Sequence, residues 1–66
     1  MNIFLNGESH DVAEGATLAD LVAELDLGAK RFAVEVNEEL VPRTVHDKHA
    51  LQPGDRIEIV QAIGGG

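Results

Sequence analysis

Arg56-Ile57-Glu58-Ile59-Val60-Gln61-Ala62-Ile63, followed by Gly64-Gly65-Gly66, decides the fold. The run alternates with a period of two. Ile57 and Ile59 share one face, and Glu58 and Val60 share the other. It is among the most apolar segments of the chain, and the strands buried most are central ones. The sequence therefore predicts a final strand in the middle of a sheet, beside the first strand, with its isoleucines toward a helix. Three glycines then follow with no side chain to anchor them, so residues 64–66 are expected to form a mobile tail on a body of residues 1–63.

Working outward, Pro53-Gly54-Asp55 is the pattern of a type II turn leading into that strand. At the other end, Met1-Asn2-Ile3-Phe4-Leu5-Asn6 reads as a strand with Met1, Ile3 and Leu5 on one face and Asn2, Phe4 and Asn6 on the other. Asn6-Gly7 is a strong two-residue hairpin signal. Glu8 to Val12 returns with weak alternation, Ser9 and Asp11 against His10 and Val12.

Thr17 is a good N-cap, and Asp20 three residues on approximates a capping box. Leu18, Leu21, Val22 and Leu25 then form one apolar stripe at i, i+3, i+4 and i+7. Gly28 is the expected stop, with Lys30 and Arg31 beyond it. Phe32 to Asn37 is a strand with Val34 and Val36 inward, Asn37-Glu38-Glu39 a turn, and Leu40-Val41 a short strand ended by Pro42, which suits an edge. Thr44 to Ala50 reads as a solvated loop with room for one helical turn, and Leu51 as a core plug. Strand, strand, helix, strand, short strand, strand is the β-grasp order. The expected fold is α+β, a mixed sheet of four to five strands with one main helix on one face.

Composition narrows function. With 66 residues there is one domain, and with no cysteine there is no disulfide or thiolate–metal staple. A net charge of −7 disfavours nucleic acid and suits a partner with a basic face. No apolar run is long enough to span a membrane, and no signal peptide is expected, which points to the cytoplasm. His10, His46 and His49 share no ligand spacing with acids on one rigid element, so no metal is expected; His46, Asp47 and His49 read as solvated loop. No nucleophile, general base or cofactor motif stands out, so an enzyme is disfavoured.

The Met1-x-Ile3-Phe4-Leu5-Asn6-Gly7 opening carries a family resemblance. So do Thr17-Leu18 with Leu21 and Leu25, the Val36-Asn37 to Val41-Pro42-Arg43 hairpin, and Leu51-x-Pro53-Gly54-Asp55-Arg56-Ile57-Glu58-Ile59-Val60 running to a terminal Gly-Gly. Together, over the whole length, the chain resembles the ThiS family of sulfur carriers in thiamine (thiazole) biosynthesis, within the ubiquitin-like β-grasp proteins. The resemblance implies a cycle. A ThiF-type adenylyltransferase uses ATP to convert the Gly66 carboxylate to an acyl adenylate. A persulfide donor displaces AMP, and a C-terminal thiocarboxylate results. A ThiG-type thiazole synthase takes the sulfur. The carrier itself would bind no cofactor tightly.

Physical chemistry supports such a use of the tail. A carboxylate is a poor electrophile and must be activated in a site that excludes water. Gly64, Gly65 and Gly66 lack Cβ atoms and can thread a narrow channel. Three extended residues reach at most ~10 Å, and Ile63 adds a little more. Phe4 and Val60, on the outer sheet face with Ala62 continuing toward the tail, form a candidate docking patch rimmed by Glu58 and Glu35. Arg43 is open between partner contact and a solvated base. Three other readings stand beside the thiazole carrier: a small subunit of the molybdopterin-synthase type, a sulfur carrier for another pathway, and a β-grasp binding module that carries nothing.

Overall fold

The computed structural model describes residues 1–27 and 31–61. Five strands and one α-helix follow in the order β1 (Asn2–Leu5), β2 (Glu8–Asp11), α1 (Leu18–Leu25), β3 (Phe32–Val36), β4 (Glu39–Leu40) and β5 (Arg56–Gln61). A 3-10 helix, Arg43–Lys48, separates β4 from β5. The sheet order is β2-β1-β5-β3-β4. β1 and β5 pair in parallel, and the other neighbours are antiparallel. The last strand is thus central and beside the first, as its apolar alternation predicts.

The period-two reading sorts the faces correctly. Ile3, Val34, Val36 and Ile57 point inward and are buried, while Phe4, Glu58 and Val60 are exposed on the opposite face. Leu18 and Leu21 close the core from the helix side, and Leu51 plugs it. Val22, Leu25 and Ile59 are only half-buried at its margin.

The α1 start is fully capped. Thr17 Oγ1 accepts the Asp20 N–H (3.2 Å), and the Thr17 N–H donates to Asp20 Oδ2 (2.9 Å). Leu18 N–H, an orphan donor of the first turn, reaches the His49 carbonyl (2.9 Å), and Leu51 N–H returns to Ala16 O (2.9 Å). These bonds fasten the helix N-terminus to the segment that carries Leu51.

Three expectations need correction. The helix does not run to Gly28: Asp26 caps it in the left-handed region (φ 51°), a conformation a short polar side chain tolerates. Gly28 and Lys30 lie outside the described residues. The short edge strand is shifted by one, to Glu39–Leu40; Val41 follows it and is buried, its N–H donating to Val34 O (2.9 Å). His46 is not solvated. The 3-10 helix turns it inward to 6% exposure, where Nε2 donates to the Val41 carbonyl (2.9 Å) and the ring lies 6.4 Å from that of Phe32. A buried imidazole needs such a partner. Among the described residues no helix is long and apolar enough to cross a membrane.

Candidate functional site

The strand that leads to the glycines is anchored along both edges. β3 pairs with β5 from Val36 opposite Ile57 to Phe32 opposite Gln61. β1 covers only its beginning, Phe4 opposite Arg56 and Leu5 opposite Ile57. Gly54, at φ +82°, makes the turn that starts the strand, with Asp55 N–H on Gln52 O (3.1 Å). A positive φ at the position after Pro53 is what the type II pattern requires. Ala62, Ile63 and Gly64–Gly66 lie outside the described residues.

On the outer face the register fixes the neighbours of Phe4, Glu58 and Val60. Phe4, 39% exposed, stands across from Arg56. Val60, 60% exposed, stands across from Ala33 on β3. Phe4 and Val60 therefore share a face but not a contact: four residues of strand, about 13 Å, separate Val60 from Arg56. Glu58 lies between them, directly opposite Glu35, and Leu40 on β4 lies opposite Glu35 in turn. Leu40 is 66% exposed and was not among the residues singled out from sequence. Its position one residue before a buried valine, on a strand of two residues, gave no alternation to read.

The face thus has an acidic centre with apolar side chains around it. Like charges directly opposite in an antiparallel pair are unfavourable, so Glu35 and Glu58 present an arrangement that a basic side chain would relieve. Arg56, a base on the same face of β5, is drawn aside toward Glu38 (Nη2 to Oε1 3.7 Å), an exposed pair worth little by itself.

The opposite side of the domain is organised differently. Arg43, left open by the sequence, lies with its guanidinium 4.7 Å from the Phe32 ring centroid. His46 stacks near the same ring. A surface groove of about 480 Å³ runs here between α1 and the 3-10 helix, lined by Val22, Leu27, Phe32, Arg43 and His46 among others. Arg43 thus has an intramolecular role as a cation over an aromatic face. Among the described residues no three His, Cys, Asp or Glu side chains come together as metal donors.

Two asparagines had no part in the sequence reading beyond their turns. Asn37 Oδ1 accepts the Arg56 N–H (3.0 Å), and Asn6 Oδ1 accepts the Ile59 N–H (2.8 Å). Both bind β5 by side chain from hairpin tips. The sequence signal was present, since Asn tolerates the left-handed region, but the bond partner depends on tertiary placement.

Known proteins share this architecture. The sequence model of the ThiS family matches residues 3–66. The sulfur carrier protein ThiS of Escherichia coli is 35% identical over 66 residues, covering all of both chains. A thiazole synthase of Paramagnetospirillum magneticum is 38% identical over 66 residues, which is all of this chain but only 20% of that protein. The crystal structure of thiamine biosynthesis protein ThiS from Geobacter metallireducens superposes with a TM-score of 0.84 at 30% identity, covering all of both chains. With a family match over nearly its whole length and the same five-stranded sheet, this chain belongs to the ThiS family and has its β-grasp fold.

Proposed function

We propose that this protein is a sulfur carrier for the thiazole of thiamine, and that its working group is the Gly66 carboxylate. Family membership through residue 66 is the observation that carries the reading. A ThiF-type adenylyltransferase joins the carboxylate to AMP from ATP, releasing pyrophosphate. A persulfide donor attacks the acyl carbon and expels AMP, and a thiol then cleaves the acyl disulfide to leave a thiocarboxylate. A ThiG-type thiazole synthase receives the sulfur, and the carboxylate returns. The carrier is a substrate of these enzymes, binds no cofactor of its own, and works in the cytoplasm.

The resemblance of this chain to one fifth of a thiazole synthase supports a synthase as partner, because a domain fused to an enzyme is held at high effective concentration beside it. The outer sheet face supports docking. Phe4, Val60 and Leu40 offer exposed apolar surface, and the opposed Glu35 and Glu58 suit a basic counterpart. The central position of β5 gives the segment from residue 62 onward a firm base.

Intact-mass measurement tests the reading. With the adenylyltransferase, ATP and a persulfide donor, the protein should gain the mass difference of one sulfur for one oxygen, localised to Gly66. Deleting Gly66 should abolish that gain and leave the fold intact, because the buried core set runs from Ile3 to Ile57. Unchanged mass for the full chain under those conditions would refute the carrier role.

A further inference from the structure

β5 has two edges, and they are held in different ways. On the β3 edge, backbone pairing continues to Gln61. On the β1 edge, Phe4 N–H donates to Asp55 O and Asn6 N–H to Ile57 O, both at 2.8 Å. There the backbone of β1 leaves, because Asn6 and Gly7 turn the chain into β2 with φ values of 49° and 85°. A parallel ladder running on would next offer a backbone carbonyl to the Ile59 N–H. Asn6 Oδ1 takes that place at 2.8 Å. One residue therefore ends the β1 strand and supplies the ladder's next acceptor with its side chain.

We propose that Asn6 is a positioning residue: its side-chain carbonyl, standing in for the strand it terminates, fixes the Ile59 end of β5 and thereby aims the segment that runs to Gly66. The proposal rests on the carrier reading above. Without Asn6, the stretch from Ile59 to Gln61 is gripped on the β3 edge alone and is free to pivot about it. Gly66 is five positions beyond Gln61, a reach of at most ~18 Å. A rotation at Ile59 therefore shifts the end of β5, from which that reach begins, on the ångström scale. Acyl transfer is sensitive to misplacement on that scale. Docking through the sheet face is set by other residues, so the loss should fall on turnover rather than on binding.

Two variants separate acceptor from turn. Asn6→Gly keeps the left-handed backbone and removes Oδ1; Asn6→Asp keeps an acceptor. Amide hydrogen exchange is measured at Ile59, with Val34 as the internal reference, and pyrophosphate release is measured with a ThiF-type adenylyltransferase and ATP. Asn6→Gly should speed Ile59 exchange about three- to tenfold relative to Val34, the range expected for one hydrogen bond. It should lower kcat by about tenfold or more with KM for the carrier unchanged. Asn6→Asp should restore both.

Unchanged Ile59 exchange in Asn6→Gly overturns the clamp. Faster exchange with unchanged kcat, or an Asn6→Asp variant as impaired as Asn6→Gly, overturns the positioning role. A wild-type chain that supports no pyrophosphate release overturns the carrier reading and the positioning role with it, and the exchange measurement, which needs no partner, identifies that failure as distinct from a missing clamp.

Discussion

The two hairpin tips make the same turn with different residues. Asn6-Gly7 and Asn37-Glu38 each place two consecutive residues at positive φ, 49° and 85° in the first and 51° and 71° in the second. That is the type I′ signature, whose twist matches antiparallel strands. The first tip uses glycine where the left-handed conformation is free. The second places Glu38 there, at a cost of about 1–2 kcal/mol for a residue with a Cβ. What holds it is tertiary. Asn37 N–H donates to Arg56 O (2.8 Å), Oδ1 accepts Arg56 N–H (3.0 Å), and Nδ2 donates to Asp55 Oδ1 (3.0 Å). The first tip is specified locally and lends one side-chain bond to β5. The second is specified by β5, which in turn holds a strained residue in place.

The core sets the scale against which the tips are measured. Leu21, 1% exposed, should cost about 2–5 kcal/mol on truncation to alanine. Urea unfolding would show this as a lowered midpoint, and a change under about 0.5 kcal/mol would contradict its burial. Asn37→Ala comes next: it removes both side-chain bonds to the β5 region and the tolerance for positive φ, for a loss of about 2–3 kcal/mol. A loss no larger than that of Asn6→Ala under the same titration would break the contrast between the tips.

Gly7→Ala should cost about 1 kcal/mol, purely for conformation, because a Cβ there meets nothing within 4 Å. Glu38→Gly is the smallest effect and has the opposite sign. Relief of positive φ exceeds the added freedom of the unfolded chain and the loss of the exposed Arg56 pair, giving a gain of about 0.5–1 kcal/mol. A destabilised Glu38→Gly protein would mean that its side chain, rather than Asn37, secures the turn.

Most of the fold was legible because each element carried its own signal. The alternation of Ile57 and Ile59, the Asn6-Gly7 turn, the Thr17 cap and the Leu18-Leu21 stripe all point the same way, and the structure agrees with each. What was not legible depends either on parts of the chain far apart or on a turn without a local signal. The Asn6 bond to Ile59 spans 53 residues, and the His46 bond to Val41 requires a 3-10 turn that polar residues do not announce. The same limit applies to the outer face. Sequence put Phe4, Glu58 and Val60 on one side of the sheet, but only the register shows that Glu58 separates the other two and that Leu40 joins them.

The parallel pairing of β1 with β5 also sets a timetable. Phe4 and Arg56 are 56 − 4 = 52 positions apart, and the strand between the two hairpins is the last of the five to be synthesised. Until it emerges, a growing chain has two separate hairpins with no middle to join them. Non-local closure of this kind is slow compared with helix or hairpin formation. A product cut short before Arg56 therefore lacks the central strand, and with it any assembled sheet face to dock against.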